Sequence, residues 1–161
     1  LLENHNKLVR PEDHWYNLGD VSMERGGRPQ QDEFIKLIKK FNGHKRLLIG
    51  NHDHFPIKTY IEAGFEKIYA TWRGIGDGRI IFSHIPIHPQ SMGSAIANVH
   101  GHTHTQPNYP PVMWIDKKTQ KIMCKPYVNV SVEQTNYHPI TLDEVMVRIE
   151  KEKGEYDGVK A

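Results

Sequence analysis

The run NVHGHTHTQP, residues 98–107, sets His100, His102 and His104 at alternate positions. Imidazoles spaced in this way offer neutral nitrogen donors to a transition metal, or they simply mark a polar, solvated strand end. In an extended segment residues i and i+2 project to the same side. His102 and His104 are therefore expected to serve one metal site or two adjacent ones. Further donors occur earlier in the chain. Asp20 follows Gly19, the tetrapeptide GNHD supplies Asn51, His52 and Asp53, and His84 follows the apolar run IIFS. Each is weak alone, since a Gly-Asp pair after a strand is most often a turn and a single histidine is often a satisfied core residue. Together they form an oxygen and imidazole set with no thiolate, which suits Mn, Fe or Zn in a catalytic site better than structural zinc.

Such a set is useful only if the chain brings it to one place. HWYNLGD reads as a buried strand ending at Gly19-Asp20, and HKRLLIG as a second one breaking into NHDH. Between them Phe34, Leu37, Ile38 and Phe41 mark one face of a helix over residues 31–41, stopped by Asn42-Gly43. PIKTYIEAG reads as a short helix. FEKIYA, GRIIFSH and IANVHGH read as strands, and KIMCKPYVNVS as two strands around Pro126. LLENHNKLV has the pattern of a helix end closed by Pro11. TLDEVMVRIEK opens with a capping box, Thr141 with Glu144, and continues as an amphipathic helix. Strands alternating with helices predict an α/β protein. Asp20, Asn51 to Asp53, His84 and His102/His104 each fall where an apolar strand gives out, the place where open α/β sheets bind ligands.

Composition bounds the rest. The 161 residues are 37% hydrophobic and 25% charged, which suits one globular domain over 1–161. Cys124 stands alone, so an internal disulfide is excluded. With no apolar run of membrane-spanning length and no signal-peptide pattern, no membrane partner is expected and the expected compartment is the cytoplasm. The net charge of +2 is dispersed, and the densest basic run, KKTQKIMCK, has no interleaved aromatics. It reads as a solvated hairpin rather than a nucleic-acid surface.

The series LGD, GNHD, SH and GHTH, in this order and at these strand ends, resembles the calcineurin-like metallophosphoesterase superfamily. The closing VNVSVEQTNYHPITLDEV is similar to its compact, capless members from phages and bacteria. The resemblance runs from Gly19 to at least His104 and implies a four-layer α/β/β/α sandwich of two mixed sheets. It implies two divalent metal ions (Mn, Fe or Zn) bridged by Asp20. Asn51, His84 and His102 would complete one metal site, and His104 would ligate the other. His52 would stand beside the leaving group, with Asp53 fixing its orientation. Two ions roughly 3.5–4 Å apart generate a bridging hydroxide and clamp phosphoryl oxygens during in-line attack. The activity implied is that of a metal-dependent phosphoester hydrolase, a phosphodiesterase acting on a small or nucleotide-like phosphoester. The alternatives are a phosphomonoesterase and a non-catalytic scaffold or binding module on the same fold.

Two departures qualify the resemblance. The superfamily opens with Asp-x-His at the end of its first strand, and no such motif precedes Gly19; ENHN and EDHW lack the pattern. The expectation is that the chain is N-terminally truncated and lacks that strand. A chain truncated in this way is expected to be inactive; if the chain is instead complete, one metal site keeps only Asp20 and His104 and is expected to bind its metal weakly or not at all. Protein Ser/Thr phosphatases of the superfamily carry GD-x-VDRG and GNHE, whereas this chain has GDVSMERGG and GNHD, which argues against that subclass. Among the remaining groups, His100 and His54 are placed either in support of the ligands or at the surface. His88 is a possible pocket residue, Arg25 a solvated loop residue, and Trp72 and Tyr109 loop aromatics.

Overall fold

A computed structural model of the chain describes residues 1–77, 79–106, 112–115 and 122–157. The elements run α1 (Leu2–Leu8), β1 (His14–Asn17), α2 (Arg28–Ile38), β2 (His44–Leu48), α3 (Ile57–Glu62), β3 (Phe65–Tyr69), β4 (Trp72–Ile75), β5 (Ile80–Ser83), β6 (Ala97–His100), β7 (Val112–Ile115), β8 (Ile122–Lys125), β9 (Tyr127–Asn129) and α4 (Leu142–Asp157). Short 3-10 turns occupy Pro89–Met92 and Val132–Thr135. Tyr109 and residues 117–121 of the basic run lie outside the described residues.

Two sheets carry the fold, as expected for an α/β sandwich. One has the order β1-β2-β3 and is parallel throughout; the other, β4-β5-β6-β9, is mixed, with β4 antiparallel to β5 and the remaining pairs parallel. A β7-β8 hairpin stands apart from both in its pairing. Strand period sorts the side chains. On β2, Leu47 faces α2 and α3 in a cluster with Phe34, Ile38, Tyr60, Ala63 and Phe65, while its neighbour Leu48 faces the other way. Leu48 joins Ile80, Phe82, Ala97, Val99 and Val128 between the sheets, and α4 adds Val145 and Ile149 to the same cluster. On the far face of the second sheet Ile81 and Tyr127 pack against Met92 and Ala95 from the 3-10 turn and its exit. The chain therefore layers as helices, parallel sheet, mixed sheet and a thin outer cover.

The local signals explain most boundaries. The capping box at α4 forms as expected: the Glu144 N–H donates to Thr141 Oγ1 at 3.1 Å and the Thr141 N–H donates to Glu144 Oε2 at 2.7 Å. α2 starts three residues before the expected helix because Pro29 fills its first turn, where a missing N–H costs nothing. Its end falls at Ile38, and Phe41 reaches the same cluster from beyond the helix. β4 has no counterpart in the sequence reading. Trp72 and Arg73 are exposed and the strand has no alternating apolar pattern, so its pairing to β5 alone defines it. No helix among the described residues is long and apolar enough to cross a membrane.

The packing makes two tests available. Leu47 is fully buried where the parallel sheet meets α2 and α3, so Leu47→Ala is expected to lower unfolding free energy by about 2–5 kcal/mol in urea titrations. His5 is buried with its ring edge-on to Trp15 and Phe41, and its Nε2 is 3.0 Å from the Asn42 carbonyl. Desolvation holds this imidazole below its ordinary 6.5, against the opposing pull of that carbonyl. The unfolded chain therefore binds the proton more readily. Stability from His5 is complete above pH 6.5 and declines as pH falls through the lowered folded value. Urea midpoints followed downward from pH 6.5 should fall less steeply in His5→Phe than in the natural protein.

Candidate metal centre

Adjacent parallel strands end on the same side, so β1 and β2 deliver two loops to one edge, and β5 and β6 deliver two more. What brings the loops into contact is the absence of two side chains. Gly19 has φ +94°, a conformation L residues rarely adopt, and a Cβ there would sit 2.7 Å from His84 Cγ and 2.8 Å from Gly50 Cα. A Cβ on Gly50 would sit 2.9 Å from Asp20 Cγ. The Gly19 N–H donates to Asn17 Oδ1 at 2.9 Å, which fixes the turn that presents Asp20, itself at φ 54°.

Four side chains then meet. His84 Nε2 lies 2.9 Å from Asn51 Oδ1, 3.1 Å from His102 Nδ1 and 3.3 Å from Asp20 Oδ2. The other nitrogen of His84 is 2.7 Å from the Leu18 carbonyl oxygen. A carbonyl only accepts, so Nδ1 carries the proton, and in the neutral ring Nε2 is left with a lone pair. That lone pair faces a carboxylate oxygen and a carboxamide oxygen, with a second imidazole nitrogen beside them. Donors of electron pairs aimed at one another repel unless a positive charge stands among them. One atom from each of Asp20, His84 and His102 lies within 4.8 Å of the others, a set able to hold an ion. Borderline nitrogen with hard oxygen suits Zn, Mn or Fe. Partial desolvation, with the adjacent His84, holds the His102 imidazole below its ordinary 6.5 although the residue is exposed. The neutral, ligating form is thereby favoured.

Asp53 holds the loop rather than touching the His52 ring. Its Oδ2 accepts from the Gly50 N–H at 2.7 Å and the Asp20 N–H at 2.9 Å, and its Oδ1 accepts from the Val21 N–H at 2.9 Å. Burial pushes its carboxyl above the ordinary 3.8, while these amides pull the other way. His52 reaches the centre through its main chain, donating its N–H to Asp20 Oδ1 at 2.7 Å. Its ring lies edge-on to His54 at 5.9 Å, and His54 is exposed.

The histidine run requires a correction. β6 ends at His100, and His102 and His104 follow with φ 64° and 48°, so they do not project side by side from an extended strand. Left-handed residues re-aim the chain at each of the two positions. His102 turns to His84. His104 instead places Nδ1 2.8 Å from Glu133 Oε1, and it is not one of the residues grouped with Asp20. His100 is fully buried on the second sheet, its Nδ1 2.8 Å from the Gly101 carbonyl and its ring 6.3 Å from Tyr127; it is part of the packed interior. His88 caps the 3-10 turn, its Nδ1 accepting from the Gln90 N–H at 3.3 Å. Glu133 had no role in the sequence reading. Its signal, an acid a few residues past the last strand, becomes legible only once the strand is known to end beside His104.

Two substitutions test the centre. Asp20→Asn removes the charge among the donors, and Gly19→Ala puts a methyl group against His84 at a backbone angle costing about 1–3 kcal/mol. Both are expected to lower bound metal, measured by plasma emission after Mn or Zn loading and desalting. Metal content equal to that of the natural protein in both variants would contradict the assignment.

The site now has a context among known proteins. No family model matches the chain. It is similar to the protein of unknown function AQ665 from Aquifex aeolicus, whose crystal structure superposes with a TM-score of 0.63 at 24% identity, over 91% of this chain and 82% of that one. It is also 30% identical over 155 residues to the uncharacterized protein MJ1445 of Methanocaldococcus jannaschii, covering 95% of this chain and 75% of that protein. The chain belongs to the family of that archaeal protein.

Proposed function

We propose that the chain is a metal-dependent phosphoester hydrolase, with a small or nucleotide-like phosphodiester as its substrate. The observation that supports this most is the convergence of Asp20, Asn51, His84 and His102 on one point at the carboxyl ends of the strands. One cation is proposed among these four, and a second between Asp20 and His104. Bound divalent ions would supply electrophilic stabilisation of the phosphoryl oxygens and acidify a coordinated water.

The remaining work falls to the chain itself. Leu18, through its carbonyl, keeps the His84 proton on Nδ1 and Nε2 available. Asp53 keeps Gly50, Asp20 and Val21 in place by accepting their N–H groups. His52 is tethered to Asp20 by its backbone N–H, and in this proposal its imidazolium would give its proton to the departing alkoxide. In that step a new P–O bond forms to water, which gives up a proton to solvent, the ester P–O bond breaks, and the leaving oxygen takes the proton of His52.

The test is hydrolysis of bis-p-nitrophenyl phosphate by the natural protein with Mn. Turnover that vanishes with chelator and falls by about 10²–10⁴-fold in His52→Ala supports the proposal. Faster turnover of p-nitrophenyl phosphate than of the diester would shift the substrate class to monoesters. Absence of metal-dependent turnover on both esters would sink the enzyme reading.

A further inference from the structure

His104 is held more firmly than its exposure requires. Its carbonyl accepts from Asn129 Nδ2 and from Gln134 Nε2, both at 2.9 Å, and its ring Nδ1 stands 2.8 Å from Glu133 Oε1. The three partners come from the end of β9 and the 3-10 turn after it. The imidazole is 67% exposed, so an ordinary surface ion pair there would contribute little to stability. The two amides and the left-handed backbone at φ 48° fix where the ring starts, and the carboxylate fixes how it turns. An ionised carboxylate only accepts, and the proton between the two groups must sit on His104 Nδ1.

We propose that Glu133 is a positioning residue that fixes His104 as its Nδ1–H tautomer, leaving Nε2 as the ligating atom of the second cation site. This rests on the reading of His104 as a ligand given above. A carboxylate behind a ligating histidine orients the ring and raises its basicity, and its loss lowers metal affinity by about 10–100-fold. Asn129 and Gln134 complete the device by keeping the main chain of His104 still.

The decisive measurement is a long-range proton–nitrogen spectrum of the metal-free protein, at a pH where the ring is neutral. The His104 signals are assigned by their loss in His104→Gln. The natural protein is expected to show the Nδ1–H pattern. Glu133→Gln, whose carboxamide oxygen still accepts, should keep it, whereas Glu133→Ala should move the proton toward Nε2. An unchanged tautomer in a folded Glu133→Ala would overturn the proposal. Calorimetric titration with Mn then separates the two layers of the argument. A His104-dependent binding event that weakens about 10–100-fold in Glu133→Ala, with the other event unchanged, supports it. If His104→Gln titrates like the natural protein, the ligand reading of His104 falls, and the metal role of Glu133 with it, while the tautomer result still stands.

Discussion

Lone pairs that point at one another need a positive charge between them, and the arrangement around His84 Nε2 is of this kind. The Leu18 carbonyl removes the easy escape, a proton on Nε2 of the neutral ring, by claiming the proton for Nδ1. In the neutral ring, Asp20, Asn51 and His102 then face a nitrogen that accepts rather than donates. Much of the fold serves this meeting. Two parallel strand pairs end at the same edge, and Gly19 and Gly50 let the loops close to a separation that any side chain would prevent. Without the fully apolar cluster between the sheets, built on Leu48, Phe82 and Val99, the two loop pairs would have no fixed distance.

The same constraint explains which parts of the site the sequence reveals. Strand ends, donor types and glycines are local properties. Asp20, Asn51, His84 and His102 could therefore be nominated from residue type and position, and the structure brings all four together. The two-sheet α/β architecture followed from strand and helix alternation together with the resemblance. Edge strand β4 was hidden because strand pairing, not side-chain pattern, creates it. The conformation of GHTH was hidden for a related reason. Extended and left-handed backbones are both open to a polar loop residue, and only the tertiary partners, His84 for one ring and Glu133 for the other, select between them. Glu133 is distant from the histidine run in sequence, and nothing local to either segment announces the pair.

Asp53 shows where a resemblance and a geometry assign one residue different tasks. By resemblance its carboxylate orients the His52 ring directly. In the structure both oxygens are taken by the N–H groups of Gly50, Asp20 and Val21, which tie the two loops together. These tasks are compatible if orientation passes through the main chain. The turn from Gly50 to Asp53 carries His52, closed by the Asp53 N–H on the Gly50 carbonyl at 3.3 Å, and the His52 N–H is in turn bound to Asp20. A carboxylate bound to three amides stabilises one loop shape rather than one ring angle. It holds the main chain of His52 beside Asp20, while the ring itself lies edge-on to His54. Desolvation opposes the charge on Asp53 and the amides favour it, and that balance depends on the loops remaining closed. The closing of the loops by Gly19 and Gly50 is thus the condition both for the meeting of Asp20, Asn51, His84 and His102 and for the loop shape that carries His52.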